Sequence, residues 1–425
     1  MKLDEMERKL VDSRTGIIHS LDKKYDEIVG LIPMQMISSY NTDTLDRESN
    51  VIVPTSLMSG LGYDFTSLDR AKERAIGESI ERYCSMFLNK PVIKSKVKDL
   101  KNGINLLNIT RCSDEQVLNN NLYFKKISSD AEFSWVKGND EMNGGEEKWI
   151  PIDLVYLHGF YNPSPIREIT STGLAAGSTL FDAKVNGMLE CIERDAFTIM
   201  WQNRLSMPII NHQSIKDSLI INILEKIEQL GLDVTIVDIT SDIGVSSYLT
   251  VIRGDGEPYT TYGASTDYDH NKALLSSIRE ASACYNLNVR AYLEGYNTRL
   301  KDTNFSSFTD FHQHAALYSY QKNSEAVDFL FQGKTIDFQS VKSTYITNYH
   351  DLLENLGNLG IEMYSVDITS SDVKKAGLHV ARVIMPQVAF LEVSYPMLNC
   401  ERIFNVPLKL GYSTNTLNPY PHPFP

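Results

Sequence analysis

The chain has 425 residues, 42% hydrophobic and 22% charged, a composition that suits a folded globular protein with one large domain or two ordinary ones. With 41 lysines and arginines against 54 aspartates and glutamates, its net charge of −13 argues against non-specific binding to nucleic acid or to an anionic membrane. No apolar run approaches the roughly 20 residues that span a bilayer, and the charged N-terminus MKLDEMERKLVDSR lacks a signal-peptide core, so a cytoplasmic protein is expected.

The first helical signal is AKERAIGESIERY, from Ala71, which follows the glycine-bearing SGLGYDF. Residues three apart on a helix share a face, with Cβ atoms about 5–6 Å apart, so Glu78 and Glu81 present two carboxylates together, with Arg82 directly after them. Ile76 and Ile80 give the helix a core-facing side. The polar stretch Ser129 to Trp149, ending in a Gly-Gly turn, reads as a loop between the first part of the domain and the second. STGLAAGST, from Ser171, is rich in small residues and leads into AKVNGMLECIERD, from Ala183. Aligned without gaps, this segment shares Ala, Lys, Glu, Ile, Glu and Arg with the first, and pairs Glu190 with Glu193 beside Arg194.

Ser214 to Leu230 has helical apolar spacing and stops at Gly231, a C-cap signal. DVTIVDIT and SSYLTVIRG follow as two strands. NKALLSSIREAS, from Asn271, is a further apolar helix with an embedded acid, Glu280. TNFSSFTDFHQHAALYSYQKNSEA, around residue 310, reads as a loop and a helix. HDLLENLGNLG, EMYSVDIT and GLHVARVIMP then repeat the helix–strand–strand order, and VDIT recurs at Val237 and Val366. Two kinds of repeat point to duplicated halves, or to similar elements meeting about one centre. The five cysteines, Cys84, Cys112, Cys191, Cys284 and Cys400, form no CxxC pair and read as buried free thiols.

One Glu-x-x-Glu-Arg is commonly a solvated helix face. Its repetition on two apolar helices is not, because carboxylates on a mostly buried helix need cations to stay ionised. Four such carboxylates suit hard divalent cations such as Mg²⁺, which prefers oxygen ligands and travels with phosphates. Arg82 and Arg194 suit phosphate oxygens. Backbone N–H groups at the small-residue entry to the second helix, with Asp182 near its start, also suit a phosphate, although neither a P-loop nor a GxGxxG is present. The competing reading of that entry is a tight turn. The terminal NPYPHPFP alternates proline to Pro425; it reads either as a solvated tail or as a polyproline rod that carries the terminal carboxylate to a fixed place.

GESIERY, STGLAAGST followed by NGMLECIERDAF, the SIREAS helix and GLHVARVIMP together resemble the YcaO family, over most of the chain from about Ser56 onward. The resemblance implies a mixed α/β (α+β) fold of internally repeated helix–strand units with β-sheets flanked by helices. It divides the chain into a lead segment 1–55, an ATP-binding catalytic domain 56–410 and a proline-rich tail 411–425. It places Glu78, Glu81, Glu190 and Glu193 at a Mg²⁺ site, with Arg82, Arg194, Ser178, Asp182 and Glu280 toward ATP. The PHPFP ending and the opening LVDSRTGII look like azoline-forming cyclodehydratases of thiazole/oxazole-modified peptide biosynthesis, of the streptolysin-type maturation group, with Pro425 in a catalytic role. Such proteins convert Cys, Ser or Thr of a ribosomal precursor peptide to azolines. The implied partners are that peptide, a separate E1-like leader-binding protein, a dehydrogenase in the same complex and a second copy of the chain.

Arg74, Asn186, Ala175, Ala283 and Cys284 depart from residues common in the family. The departures at Arg74, Ala175 and Ala283 keep open a non-catalytic scaffold subunit; a thioamide- or macroamidine-forming reaction at the same ATP site is the other alternative, and the PHPFP ending argues against it.

Overall fold

A computed structural model of the chain describes residues 3–24, 31–46, 51–120, 122–157, 164–294, 311–341, 346–392, 396–413 and 416–424. Three principal sheets organise it. The first is antiparallel, with strands Ile18–Lys24, Gln35–Asn41 and Gly60–Asp64 in that order, so residues of the lead segment supply two of its three strands. The second runs Ile93–Lys96, Glu132–Asp140, Tyr364–Asp367, His379–Ile384 and Leu174–Gly177, with Glu146–Pro151 also paired to Glu132–Asp140. The third runs Thr260–Thr266, Ser247–Arg253, Asp233–Asp238, Ile209–Asn211 and Thr335–Asp337. Only the last of these pairings is parallel among those described. This is the expected mixed α/β fold. No helix among the described residues is long and apolar enough to cross a membrane.

The stretch from Ser129 to Trp149 corrects the reading as a loop. Phe133, Trp135 and Val136 are buried in the strand Glu132–Asp140, and the chain returns through Gly144 and Gly145, both at positive φ, into Glu146–Pro151. The alternation of Phe133 and Trp135 outweighs the flanking charge. The helix expected from Ser214 starts later, at Ser218, because the Asp217 side chain accepts from the N–H groups of Leu219 and Ile220.

Both VDIT copies build the same corner. Asp238 accepts from the N–H and hydroxyl of Thr240, whose hydroxyl accepts from the N–H of Ser247 on the next strand. Asp367, Thr369 and Val380 repeat those bonds. The repeat in sequence is therefore a repeat of structure.

The helix Leu180–Gln202 joins the sheets. Its first half packs Met188, Leu189, Cys191 and Ile192 with Val383 and Met385 of the second sheet and its following turn. Its second half packs Phe197, Met200 and Trp201 against Val237, Leu249 and Tyr262 of the third. The five cysteines are buried free thiols, as expected.

Candidate functional site

Each principal sheet ends in an edge strand, and the three edges converge. They are Gly60–Asp64, Leu174–Gly177 and Thr260–Thr266. Each is followed by a helix that packs on its own strand: Leu68–Met86, Leu180–Gln202 and His270–Leu293. Each helix also touches the edge strand of the next unit, so the three units close in a ring. Small residues let helix and strand approach. A Cβ on Gly62 would lie 1.8 Å from the carbonyl oxygen of Ala71, and Gly173 combines φ +86° with a Cβ position 2.1 Å from the carbonyl oxygen of Val383.

An edge strand leaves backbone N–H groups without ladder partners. Here glutamates take them. Within each unit, the helix returns a carboxylate to its own edge: Glu78 accepts from the N–H of Leu61 at 2.8 Å, Glu190 from Gly173 at 3.1 Å and Glu280 from Ala264 at 3.0 Å. Three residues later, a second glutamate reaches across to the next edge. Glu81 accepts from the N–H of Ala176 at 2.6 Å, and Glu193 faces the N–H of Thr266. The third helix has Ala283 and Cys284 where the others have Glu and Arg, so it sends no second carboxylate onward. Arg82 and Arg194 sit one helical turn beyond the first glutamates, 3.4 Å from Glu78 and 3.9 Å from Glu190, and Arg194 is 3.4 Å from Glu193.

The five expected glutamates thus lie near one another with Arg82 and Arg194 among them, and Arg74, Arg279 and Arg382 stand at the margin. The centre opens on a cavity of about 1100 Å³ lined by Glu78, Glu81, Arg82, Glu190, Arg194 and the strand from Leu174 to Gly177. That volume is of the order of small-molecule sites, roughly 300–1000 Å³. The carboxylates are recessed: water reaches the cavity, but protein surrounds the groups. Burial raises Glu81 to about 8, helped by the negative charges of Glu78 and Glu190 and opposed by the Ala176 N–H. Burial also raises Glu190 and Glu280, and drives Glu193 well up, with Arg194 only partly offsetting it. For Arg194 the same three glutamates outweigh burial and raise its pKa.

Ser178 lines the cavity, but its hydroxyl donates to Asp182 at 2.5 Å. Asp182 also closes a capping box with Thr179 at the start of the helix, and the bonds from Ser178 first and Thr179 second hold its carboxyl below the usual range. The small-residue entry, read either as phosphate-suited backbone or as a tight turn, contains the edge strand Leu174–Gly177, whose Ala176 N–H donates to Glu81.

Among the departures, Arg74 lines the cavity, fixed by Asp64 at 2.8 Å and the carbonyl of Tyr63 at 2.5 Å, and Asn186 donates to the carbonyl of Ala176 at 3.0 Å. Tyr63, not singled out in the sequence, also lines the cavity. Its alternation with Gly62 and Asp64 on an edge strand was the available signal.

The tail is docked. Asn418 donates from its N–H to the carbonyl of Gln202 at 2.7 Å, Trp201 Nε1–H donates to the carbonyl of Tyr420 at 3.1 Å, and Tyr318 donates to that of Pro421 at 2.5 Å. His422 and Phe424 are fully buried, which overturns the reading as a solvated tail. Pro425 lies outside the described residues.

The family model for "YcaO cyclodehydratase, ATP- and Mg²⁺-binding" matches residues 64–389. The chain belongs to the YcaO family. A relative from Rhizobium leguminosarum bv. trifolii, an uncharacterised protein of the tfuA 3′ region, is 26% identical over 282 residues, which cover 64% of this chain and 60% of that one.

Similar solved structures include a heterocyclase in complex with substrate and cofactor, with TM-score 0.77 and 19% identity, covering 100% of this chain and 57% of that one. YcaO from Methanopyrus kandleri, bound with AMPPCP and Mg²⁺, has TM-score 0.64 at 15% identity, covering 90% and 88%. The E. coli microcin synthetase McbBCD complex with pro-MccB17 bound has TM-score 0.55 at 16% identity, covering 87% and 88%. The chain therefore spans less than two thirds of the first relative and of the heterocyclase, and these structures share its fold.

Among the described residues, no three acidic, histidine or cysteine side chains already converge on one point. The donor set nonetheless fits ATP and Mg²⁺, the cofactors of the family. Carboxylates and guanidiniums meet in a recessed cavity, burial raises Glu81, Glu190 and Glu193, and oxygen ligands suit Mg²⁺.

Proposed function

We propose that this chain is an ATP-dependent, azoline-forming cyclodehydratase acting on Cys, Ser or Thr residues of a ribosomal precursor peptide. The observation that carries the reading is the set of recessed carboxylates with raised pKa, interleaved with Arg82 and Arg194 at one cavity, in a chain of this family.

When bound, Mg·ATP would supply the phosphoryl group with which the amide oxygen departs as phosphate. The remaining work belongs to the chain. Glu78, Glu81, Glu190 and Glu193 would hold the cation, and the raised carboxyls would release their protons to solvent as it binds. Arg82 and Arg194 would face the phosphate oxygens, since both line the cavity. Glu280 would keep Arg194 and Glu193 in register from the third helix. Ser178 and Asp182 would brace the second helix at the cavity rim. The peptide side chain adds to the preceding amide carbonyl, and holding that geometry is a positioning task.

Residues 56–410 would form the catalytic body, 1–55 a lead segment and 411–425 a tail, with Pro425 in a catalytic role. A leader-binding partner, a dehydrogenase and a second copy of the chain would complete the assembly.

The test is a mass spectrum of the precursor peptide after incubation with this chain, its partner and Mg·ATP. Loss of one water per modified residue with matching phosphate release supports the reading. Exchange of oxygen for sulfur in the presence of sulfide, or an unchanged peptide despite Mg·ATP binding, rejects it.

A further inference from the structure

Arg194 is held in an unusual way. Its two carboxylate neighbours stand 3.4 and 3.9 Å from Nε, and among the described residues its guanidinium makes no hydrogen bond. One further contact places it. The guanidinium carbon lies over the ring of Phe424, 5.2 Å from the ring centre. That ring is 1% exposed and meets Phe197 edge-on at 4.5 Å, and Phe197 lies three residues beyond Arg194 on the same helix.

The tail leading to Phe424 is fixed residue by residue. Beyond the bonds at Asn418, Tyr420 and Pro421, the carbonyl of His422 meets His314 Nδ1 at 3.0 Å, so that nitrogen carries the proton. The N–H of Phe424 donates to His422 Nδ1 at 3.3 Å, so His422 is neutral and protonated at Nε2. Burial, His314 and Arg194 all favour that neutral form. The backbone thus delivers one aromatic face to one guanidinium at the cavity wall.

We propose that Phe424 is a positioning residue: its ring backs the Arg194 guanidinium, so that the N–H groups of Arg194 remain directed to the phosphates of a bound nucleotide. The inference rests on the nucleotide reading of the cavity and adds to it a role for the tail that does not use the terminal carboxylate. A ring under a cation at this distance changes an equilibrium by about two- to thirty-fold.

The experiment is a double-mutant cycle of Phe424→Leu and Arg194→Gln, with Phe424→Met as a second apolar replacement, on the full chain. Unfolding of the ligand-free protein measures the coupling between the two side chains, and calorimetric titration with Mg·ATP measures the dissociation constant. The proposal expects non-additive unfolding, Mg·ATP weakened about tenfold by Phe424→Leu, and no further weakening when Arg194→Gln is already present. Additive unfolding overturns the contact. Coupled unfolding with Mg·ATP affinity unchanged in Phe424→Leu and Phe424→Met reduces the ring to a strut and overturns the positioning role. Absence of Mg·ATP binding to the parent chain, with coupling intact, overturns the nucleotide reading and the role built on it.

Discussion

Glu193 and Asp195 stand two residues apart on one buried helix, yet their surroundings differ. Asp195 is fully buried and answered: Arg402 meets both its oxygens, at 2.9 and 2.5 Å, and the Ala389 N–H adds a bond at 2.9 Å. Arg402 in turn holds Asp242 at 2.7 Å, which Lys409 also meets at 3.0 Å. Glu193 has Arg194 as its main cationic neighbour, which also faces Glu190 and Glu280, and burial drives the Glu193 pKa well up. A carboxylate that serves the fold is neutralised within the chain. On the proposed reading, a carboxylate that serves a ligand instead keeps a raised pKa until that ligand binds.

The largest expected effect comes from breaking the neutralised side. Arg402→Met strands Asp195 and should cost about 3–5 kcal/mol of stability in denaturant unfolding. A loss under 1 kcal/mol would mean that the pair is not the anchor its geometry suggests.

On the other side, Glu81→Gln or Glu193→Gln should leave ligand-free stability within about 1 kcal/mol, because both carboxyls are already pushed toward their neutral form. Either should weaken Mg·ATP at least about 100-fold if the glutamates bind the cation. Thermal unfolding with and without Mg·ATP separates the two quantities. Nucleotide-induced stabilisation that survives in Glu193→Gln would remove the contrast with Asp195.

A finer test uses acid. Burial pushes Asp242 up, but Arg402 and Lys409 overcome it and hold the carboxyl below its ordinary value. A lowered carboxyl adds stability that is complete above the unfolded value, about 3.9, and is lost as pH falls through the folded one. Asp242→Asn should therefore lower stability near neutrality by about 1–2 kcal/mol and flatten its fall below about pH 4. Unfolding free energies across that range would show an unchanged acid slope if Asp242 is not coupled to Arg402.

The smallest effect belongs to Asp182, whose carboxylate caps its helix. Asp182→Ala should cost about 1 kcal/mol of stability and leave Mg·ATP affinity within about twofold. A large loss of affinity would return Asp182 to the nucleotide.

The paired glutamates were legible because helical spacing alone sets Glu78 beside Glu81 and Glu190 beside Glu193. Their partners were not. The N–H groups of Leu61, Ala176 and Thr266 are free only because their strands lie on sheet edges, which no local pattern announces. The kinship of the third helix was half hidden, since Ala283 and Cys284 interrupt the pattern that Glu280 begins. Phe133 and Trp135 lay within a charged stretch that masked their strand. The tail binds largely through backbone carbonyls, and proline composition carries no sign of what those carbonyls meet. Arg402 and Asp195 are 207 positions apart and could be joined only by the fold.

The contacts that assemble the cavity span long stretches of chain. Glu81 reaches Ala176 across 95 positions, Tyr318 reaches Pro421 across 103, and Trp201 reaches Tyr420 across 219. Closing such loops is entropically slow, so helices and hairpins form before the ring does. The cavity is then among the last features to appear during folding and the first to go when the chain is strained. On gentle denaturation, nucleotide binding should disappear while the helical signal remains near its native strength.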